Sequence, residues 1–340
     1  MDTCKLVEAA ITAALQAGRE ILKVYSTEFS VEKKSDKSPI TLADKNAHHT
    51  ITEVLKHSFP DIPILSEEGK SIPYTHRREW SHFWLVDPLD GTKDFVKRND
   101  EFTVNIALIK KHTPLLGIIY VPAMDELYFA SEELGAYKKS AAASYFDKTE
   151  SISSNHPCPS RTAGESSTEL INTLIHASAR LPLHRDINHI SGSSQTPPPD
   201  RETGKLNNSP PGLSNGRRHE NNKSIIRVVT SRSHLNQRTR KYISKLEEHC
   251  RVESFPSGSA RKLCLVAEGT ADIYPRFAPT MEWDTAAGHA IVKQAGGEIF
   301  SVGSGRPIEY NKKDLTNEGF VAAGRLPGPY TELMLRLGTR

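Results

Sequence analysis

Apolar positions recur at helical spacing between Cys4 and Tyr25, where Leu6, Ala9, Ala10, Ala13, Leu15, Ala17, Ile21 and Val24 read as one packing face. A polar loop from Lys33 leads into a second predicted helix, from about Thr41 to Lys56. Residues 62–65 and 83–86 are apolar runs of strand length, and each stops at acids: Ser66-Glu67-Glu68-Gly69 after the first, Asp87-Pro88-Leu89-Asp90-Gly91-Thr92 after the second. Residues 102–109, 115–120 and 126–130 read as consecutive strands with turn-like separators, which predicts an antiparallel meander. Further on, residues 225–230 predict a strand and a charged helix follows to about His249. Residues 257–262 open another helix, 271–277 form a strand, and Glu282 leads a helix that Gly296-Gly297 ends.

Between Ser140 and Asn222 the pattern breaks. Eight of the 21 prolines fall there, Ser, Asn and Gly fill much of the remainder, and eight basic residues balance eight acidic ones. Such a stretch cannot bury enough apolar surface to fold, and it reads as a largely disordered insertion with one short amphipathic helix around Leu170 to Ala179. The 340 residues therefore divide into residues 1–139, the insertion 140–222, and residues 223–340. Each outer part is long enough to build a core.

A net charge of +3 does not mark a nucleic-acid binder. Four cysteines without C-x-x-C spacing suggest a reducing compartment. No apolar run approaches the length a bilayer needs, and no secretory signal is visible, so a soluble intracellular protein is expected.

Candidate chemistry lies where strands end in acids. Pro88 restricts the backbone between Asp87 and Asp90, and Gly91 allows backbone to approach whatever they hold. Two aimed carboxylates with nearby backbone N–H groups suit a divalent cation and a phosphate together. Taken singly, Asp44 reads as a helix-start acid, Glu67-Glu68 as a solvated pair and Asp284 as an N-cap. Taken together, Glu67-Glu68, Asp87 with Asp90, and Asp284 form three acid groups without His or Cys companions, a hard-oxygen set that favours Mg²⁺ over zinc if they converge. Small residues before Lys262 make a candidate anion nest.

The segments 35–44, 65–68, 84–95, 101–109, 230–234 and 263–297 resemble, in family order, those of the inositol monophosphatase superfamily of lithium-sensitive, Mg²⁺-dependent phosphatases. Within it the chain is most similar to the CysQ-like 3′(2′),5′-bisphosphate nucleotidases, since Lys93-Asp94-Phe95 follows the Asp-Gly-Thr where sugar-phosphate relatives carry Thr-Asn-Phe. The resemblance implies a two-domain layered αβαβα sandwich of α/β (α+β) class. It implies two or three Mg²⁺ ions held by Glu67, Asp87, the Leu89 carbonyl, Asp90 and Asp284. Asp44 and Thr92 would orient or deprotonate the attacking water, and Gly91 and Thr92 would bind the scissile phosphate. His234, Ser259, Lys262 and Arg276 would bind the nucleotide and its retained phosphate.

The implied reaction is metal-dependent hydrolysis of adenosine 3′,5′-bisphosphate to AMP and phosphate, with the 5′-phosphosulfate relative as a second substrate. A small-molecule nucleotide is thus the expected partner. A cytoplasmic location is implied, with peripheral association at the inner membrane as an alternative. An inositol or sugar phosphatase, or a non-catalytic phosphonucleotide sensor acting through the insertion, are the other readings left open.

Overall fold

Trp84 and Val86 belong to one apolar cluster and Phe83 and Leu85 to another, so the strand that carries them is covered on both faces. That is why its apolar run is unbroken instead of alternating. The computed structural model describes residues 1–33, 39–143, 167–176, 178–181, 224–232, 235–326 and 328–338. In it, Ile64–Ser66, His82–Asp90, Thr103–Lys110, Thr113–Val121, Glu126–Ser131, Gly135–Ser140 and Ala179–Arg180 form a seven-stranded sheet in chain order. The first pair is parallel and the remainder is the antiparallel meander expected from the turn-like separators.

Helices Thr3–Tyr25 and Leu42–Ser58 cover one face of this sheet through Leu6, Ala10, Ala17, Ile21, Ala47 and Ile51. Each aliphatic side chain of Leu or Ile size buried there contributes roughly 1.5–3 kcal/mol. Helix Glu282–Gln294 packs on the opposite face and presents small residues to it. The approach to the sheet leaves no room for a side chain at Gly117, where a Cβ would collide with the Ala287 carbonyl oxygen, and on the helix's other side a Cβ on Gly288 would collide with Leu263 of the neighbouring helix.

A second sheet lies beyond that helix, in the order Arg251–Ser257, Ile225–Ser231, Ile273–Arg276, Phe320–Ala323, Glu298–Ser301. Its outer face holds a third cluster, in which Ile226, Val228 and Val321 meet Tyr242 and Leu246 of helix Gln237–Glu247 and Met334 of helix Gly328–Gly338. The layers run helix, sheet, helix, sheet, helix, the αβαβα sandwich that the family resemblance implies.

Several elements differ from the sequence reading. The strand expected to stop at Val86 runs on to Asp90, because backbone pairing continues through polar residues that apolar periodicity does not report. Strand Arg251–Ser257 carries no periodic apolar signal because it lies at the sheet edge with mostly exposed or half-buried side chains. Within the stretch read as an insertion, the short helix expected around Leu170 to Ala179 is present as Ser167–His176 and adds Ile171 and Leu174 to the first core, while strand Ala179–Arg180, which was not expected, extends the first sheet. Those residues are therefore built into the fold, while 144–166 and 182–222 lie outside the described residues.

Candidate metal and phosphate site

The acids converge because of one register and one bulge. Ser66 pairs with Val86 in the parallel ladder and the Glu67 N–H donates to the Val86 carbonyl at 3.1 Å, so Glu67 emerges beside Asp87. Asp87 pairs with Asn105 and Asp90 with Thr103, leaving Pro88 and Leu89 opposite the single residue Val104. Pro88 has no N–H to lose from the ladder, which suits it to this bulge. The Leu89 N–H folds back to donate to Asp87 Oδ1 at 3.1 Å.

The chain then turns at Gly91, whose φ of 86° favours glycine, into the short helix Thr92–Val96. Phe95 holds that helix against Tyr25, Phe29 and Phe102, with ring centroids 4.8 to 5.2 Å apart. Asp284 reaches the same point from helix Glu282–Gln294. It occupies the third helical position and accepts from the Met281 N–H at 2.8 Å, so Met281, not Asp284, is the N-cap residue. This frees the acid's other oxygen for the cleft.

Glu67, Asp87 and Asp284 offer carboxylate oxygens all within 4.8 Å of one another. Burial, with the charges of Glu67, Asp90 and Asp284 added, pushes the Asp87 carboxyl well above its ordinary range. Asp284 is raised in the same way, by burial and then by Asp90. Asp90 rises to about 6, since burial is opposed by the Lys262 ammonium. Three crowded hard-oxygen donors that repel each other fit a hard divalent cation, and among the described residues neither His nor Cys lines their cavity.

That cavity, of about 290 Å³, has a second wall of opposite sign. Lys262 stands on helix Arg261–Ala267 and Arg276 ends strand Ile273–Arg276, both facing the acids. Burial brings the Lys262 ammonium down to about 8, partly offset by Asp90. Its Nζ donates to the Ser259 carbonyl and lies 5.3 Å from the centre of the Tyr274 ring.

Ten residues singled out from the sequence line this one cavity: Glu67, Asp87, Leu89, Asp90, Gly91, Thr92, Ser259, Lys262, Arg276 and Asp284. Asp44 stands behind Thr92 and does not line it. Its Oδ2 accepts from both the Thr41 N–H and the Thr41 hydroxyl at 2.7 Å, and its Oδ1 accepts from Thr92 Oγ1 at 3.2 Å. Burial raises the Asp44 carboxyl, against these hydrogen bonds. His234 lies outside the described residues. Lys93, Asp94, Arg232 and Tyr274 also line the cavity without having been assigned there. For Lys93, Asp94 and Tyr274, closeness in sequence to the Asp-Gly-Thr turn or to Arg276 is the available signal, but adjacency does not say which way a side chain faces.

The sequence model of the inositol monophosphatase family matches residues 2–196 and 201–337. The chain belongs to the inositol monophosphatase family. Among curated family members, the 3′(2′),5′-bisphosphate nucleotidase CysQ of Shigella flexneri is 34% identical over 319 residues, covering 93% of this chain and 98% of that one. CysQ of Buchnera aphidicola is 34% identical over 331 residues, 94% of each. The crystal structure of CysQ from Bacteroides thetaiotaomicron, at 41% identity, covers 94% of this chain and 97% of its own with a TM-score of 0.68. An inositol monophosphatase from Thermotoga maritima superposes with a TM-score of 0.61 at 20% identity, a likeness of fold. Among the described residues no helix is long and apolar enough to cross a membrane.

For this family member the raised carboxyls carry a stability consequence. Asp90 binds its proton more tightly folded, at about 6, than unfolded, near 4. Its contribution is therefore fully favourable below about pH 4 and is lost as pH rises through about 6, amounting to a destabilisation on the order of 2–3 kcal/mol near pH 7.5. With chelator present, the melting temperature of the wild type relative to Asp90→Asn is expected to fall between about pH 4 and pH 7. Added Mg²⁺ should restore it near pH 7.5 and have little effect near pH 5. A wild-type melting curve indifferent to Mg²⁺ near pH 7.5 would contradict the repulsive cluster.

Proposed function

We propose that this protein hydrolyses the 3′-phosphate of adenosine 3′,5′-bisphosphate to AMP and phosphate, as a Mg²⁺-dependent 3′(2′),5′-bisphosphate nucleotidase. The observation that carries the reading is one cavity with an acid cluster on one wall and Lys262 and Arg276 on the other. The acids suit the phosphate that is cleaved, through cations, and the two bases suit the phosphate that is kept. The names of the CysQ relatives, aligned over nearly their full length, support the same substrate.

Glu67, Asp87, Asp90, Asp284 and the Leu89 carbonyl would hold the ions, two or three in number. Bound there, Mg²⁺ supplies positive charge that acidifies water and stabilises the leaving oxygen. Thr92 Oγ1 lies 3.2 Å from Asp44 Oδ1 and 3.4 Å from the Leu89 carbonyl; donating to the carboxylate, it keeps lone pairs with which to accept from the attacking water. Asp44, anchored by two bonds from Thr41, takes up the proton through Thr92, and burial makes its carboxyl the better base. Gly91 and Thr92 would offer backbone N–H groups to the scissile phosphate, with Ser259 and His234 contacting the nucleotide. Direct in-line attack by water requires no covalent intermediate. The 5′-phosphosulfate analogue fits the same cavity chemistry as a second substrate, and cytoplasmic recycling of the bisphosphate in sulfur assimilation is the corresponding role. Inhibition by Li⁺ belongs to this reading as well.

The test is phosphate release from adenosine 3′,5′-bisphosphate and from inositol 1-phosphate in Mg²⁺. Preferential release from the nucleotide is expected. Release from inositol 1-phosphate alone would refute the substrate while leaving the metal chemistry intact, and release from neither would refute both.

A further inference from the structure

Glu101 was not assigned any role, does not line the cavity and is only 7% exposed, yet its carboxylate crosses from one wall of the cleft to the other. On its own side it is tied to the Asp-Gly-Thr turn. The Asn99 side chain donates to Asp94 Oδ1 at 2.7 Å and accepts from the Glu101 N–H at 3.3 Å, and the Asn99 N–H donates to the Asp94 carbonyl at 3.2 Å. Arg98 and Asp100, on either side of Asn99, adopt left-handed backbone with φ of 54° and 64°, so this loop is held in one uncommon shape.

On the opposite side the Glu101 carboxylate accepts from the Gly258 N–H at 2.9 Å and the Ser257 hydroxyl at 3.2 Å. It also accepts from Arg232 Nε at 3.1 Å and Nη2 at 2.7 Å, with Arg261 Nη1 at 3.7 Å. A Cβ at Gly258 would come within 2.8 Å of Asp94 Oδ2 and 2.9 Å of Glu101 Cβ, so the two walls touch here without a side chain between them. The next residue, Ser259, is a non-glycine with φ of 40°, a conformation that persists only where neighbours enforce it. Its carbonyl accepts from Lys262 Nζ. The order of dependence is therefore Asp94, Asn99, Glu101, the 257–259 turn, and the Lys262 ammonium.

We infer that Glu101 is a positioning residue that holds the cationic wall, Arg232 and the 257–262 turn, at the spacing from the Asp-Gly-Thr turn at which the retained phosphate of the substrate binds. The inference rests on the bisphosphate reading and deepens it. Charge-assisted bonds from the Arg232 guanidinium and a backbone N–H, with the Arg261 guanidinium 3.7 Å away, make one carboxylate sufficient for the task. Since Glu101 acts through Lys262 and Arg232, its loss weakens binding of a substrate with a second phosphate and leaves the hydrolytic step alone.

The experiment compares adenosine 3′,5′-bisphosphate with 3′-AMP, which carries the same scissile phosphate and no second one. Wild type, Glu101→Gln and Glu101→Asp are assayed in saturating Mg²⁺. The wild type is expected to favour the bisphosphate through KM. Glu101→Gln, which keeps size but loses charge, should raise KM for the bisphosphate about tenfold, leaving its kcat and the KM for 3′-AMP within about twofold. Glu101→Asp keeps the charge and should raise KM less, and it carries the test if the glutamine variant fails to fold. Equal losses on both substrates, a fall in kcat at constant KM, or no change would overturn the role given to Glu101. A wild type with no preference for the bisphosphate would overturn the substrate reading, and the subsite role with it.

Discussion

Asp90→Asn is expected to lower kcat for phosphate release on the order of 10³-fold or more, the largest loss of any single substitution considered. The exchange keeps shape and removes one charge from the place where Glu67, Asp87 and Asp284 crowd together. Lewis-acid stabilisation of a transferring phosphoryl group is worth several kcal/mol, and each 1.36 kcal/mol is a factor of ten in rate. The substitution should not unfold the protein. Near pH 7.5 and without metal, the variant is expected to melt at or above the wild-type temperature, because a neutral amide relieves the repulsion that pushes the Asp90 carboxyl up to about 6. Single-turnover phosphate release at several Mg²⁺ concentrations separates the two effects, and activity within tenfold of wild type at high Mg²⁺ would remove Asp90 from the metal site.

Thr92→Val should cost on the order of 10²-fold in kcat with little change in KM. Valine matches the threonine shape and deletes only the hydroxyl that donates to Asp44 at 3.2 Å. Threonine is the better residue to replace, since Asp44 also accepts the Thr41 N–H at the start of its helix. Its loss would mix a capping penalty of roughly 1 kcal/mol into the result. A pH–rate profile of the variant gives a second readout: removing the relay should flatten the limb that reports Asp44, whose carboxyl burial raises. A valine variant within about threefold of wild type would exclude the Thr92–Asp44 pair from the proton path.

The two kinds of acid in this site were unequally legible. Asp87 and Asp90 stand in a local pattern of apolar run, proline and glycine, so their aim from one turn could be read from neighbours alone. Asp284 looked like a helix cap, and a carboxylate at a helix start has a local explanation whether or not it serves anything else. Its actual position, one carboxylate oxygen accepting from the Met281 N–H and the group itself within 4.8 Å of Glu67 and Asp87, combines both duties. Arg232 and Glu101 gave no signal, since lone charged residues at the ends of strands are common on any surface.

By itself, the order of short apolar runs, acids and glycines along the chain determined the meander, the two main helices of the first layer and the strand-end acids as candidates. These follow from contacts between near neighbours in sequence: burial periodicity, turn chemistry and backbone conformation act over a few residues. Tertiary structure decided what depends on separation. Glu67 meets Asp87 only because a parallel ladder sets their register, and Asp284 joins them only because Gly117 lets its helix close on the sheet. Glu101 reaches Gly258, 157 positions away, because two sheets stack about a shared helical layer. Such encounters are fixed by packing of whole elements, and nothing in the local pattern of either partner records them.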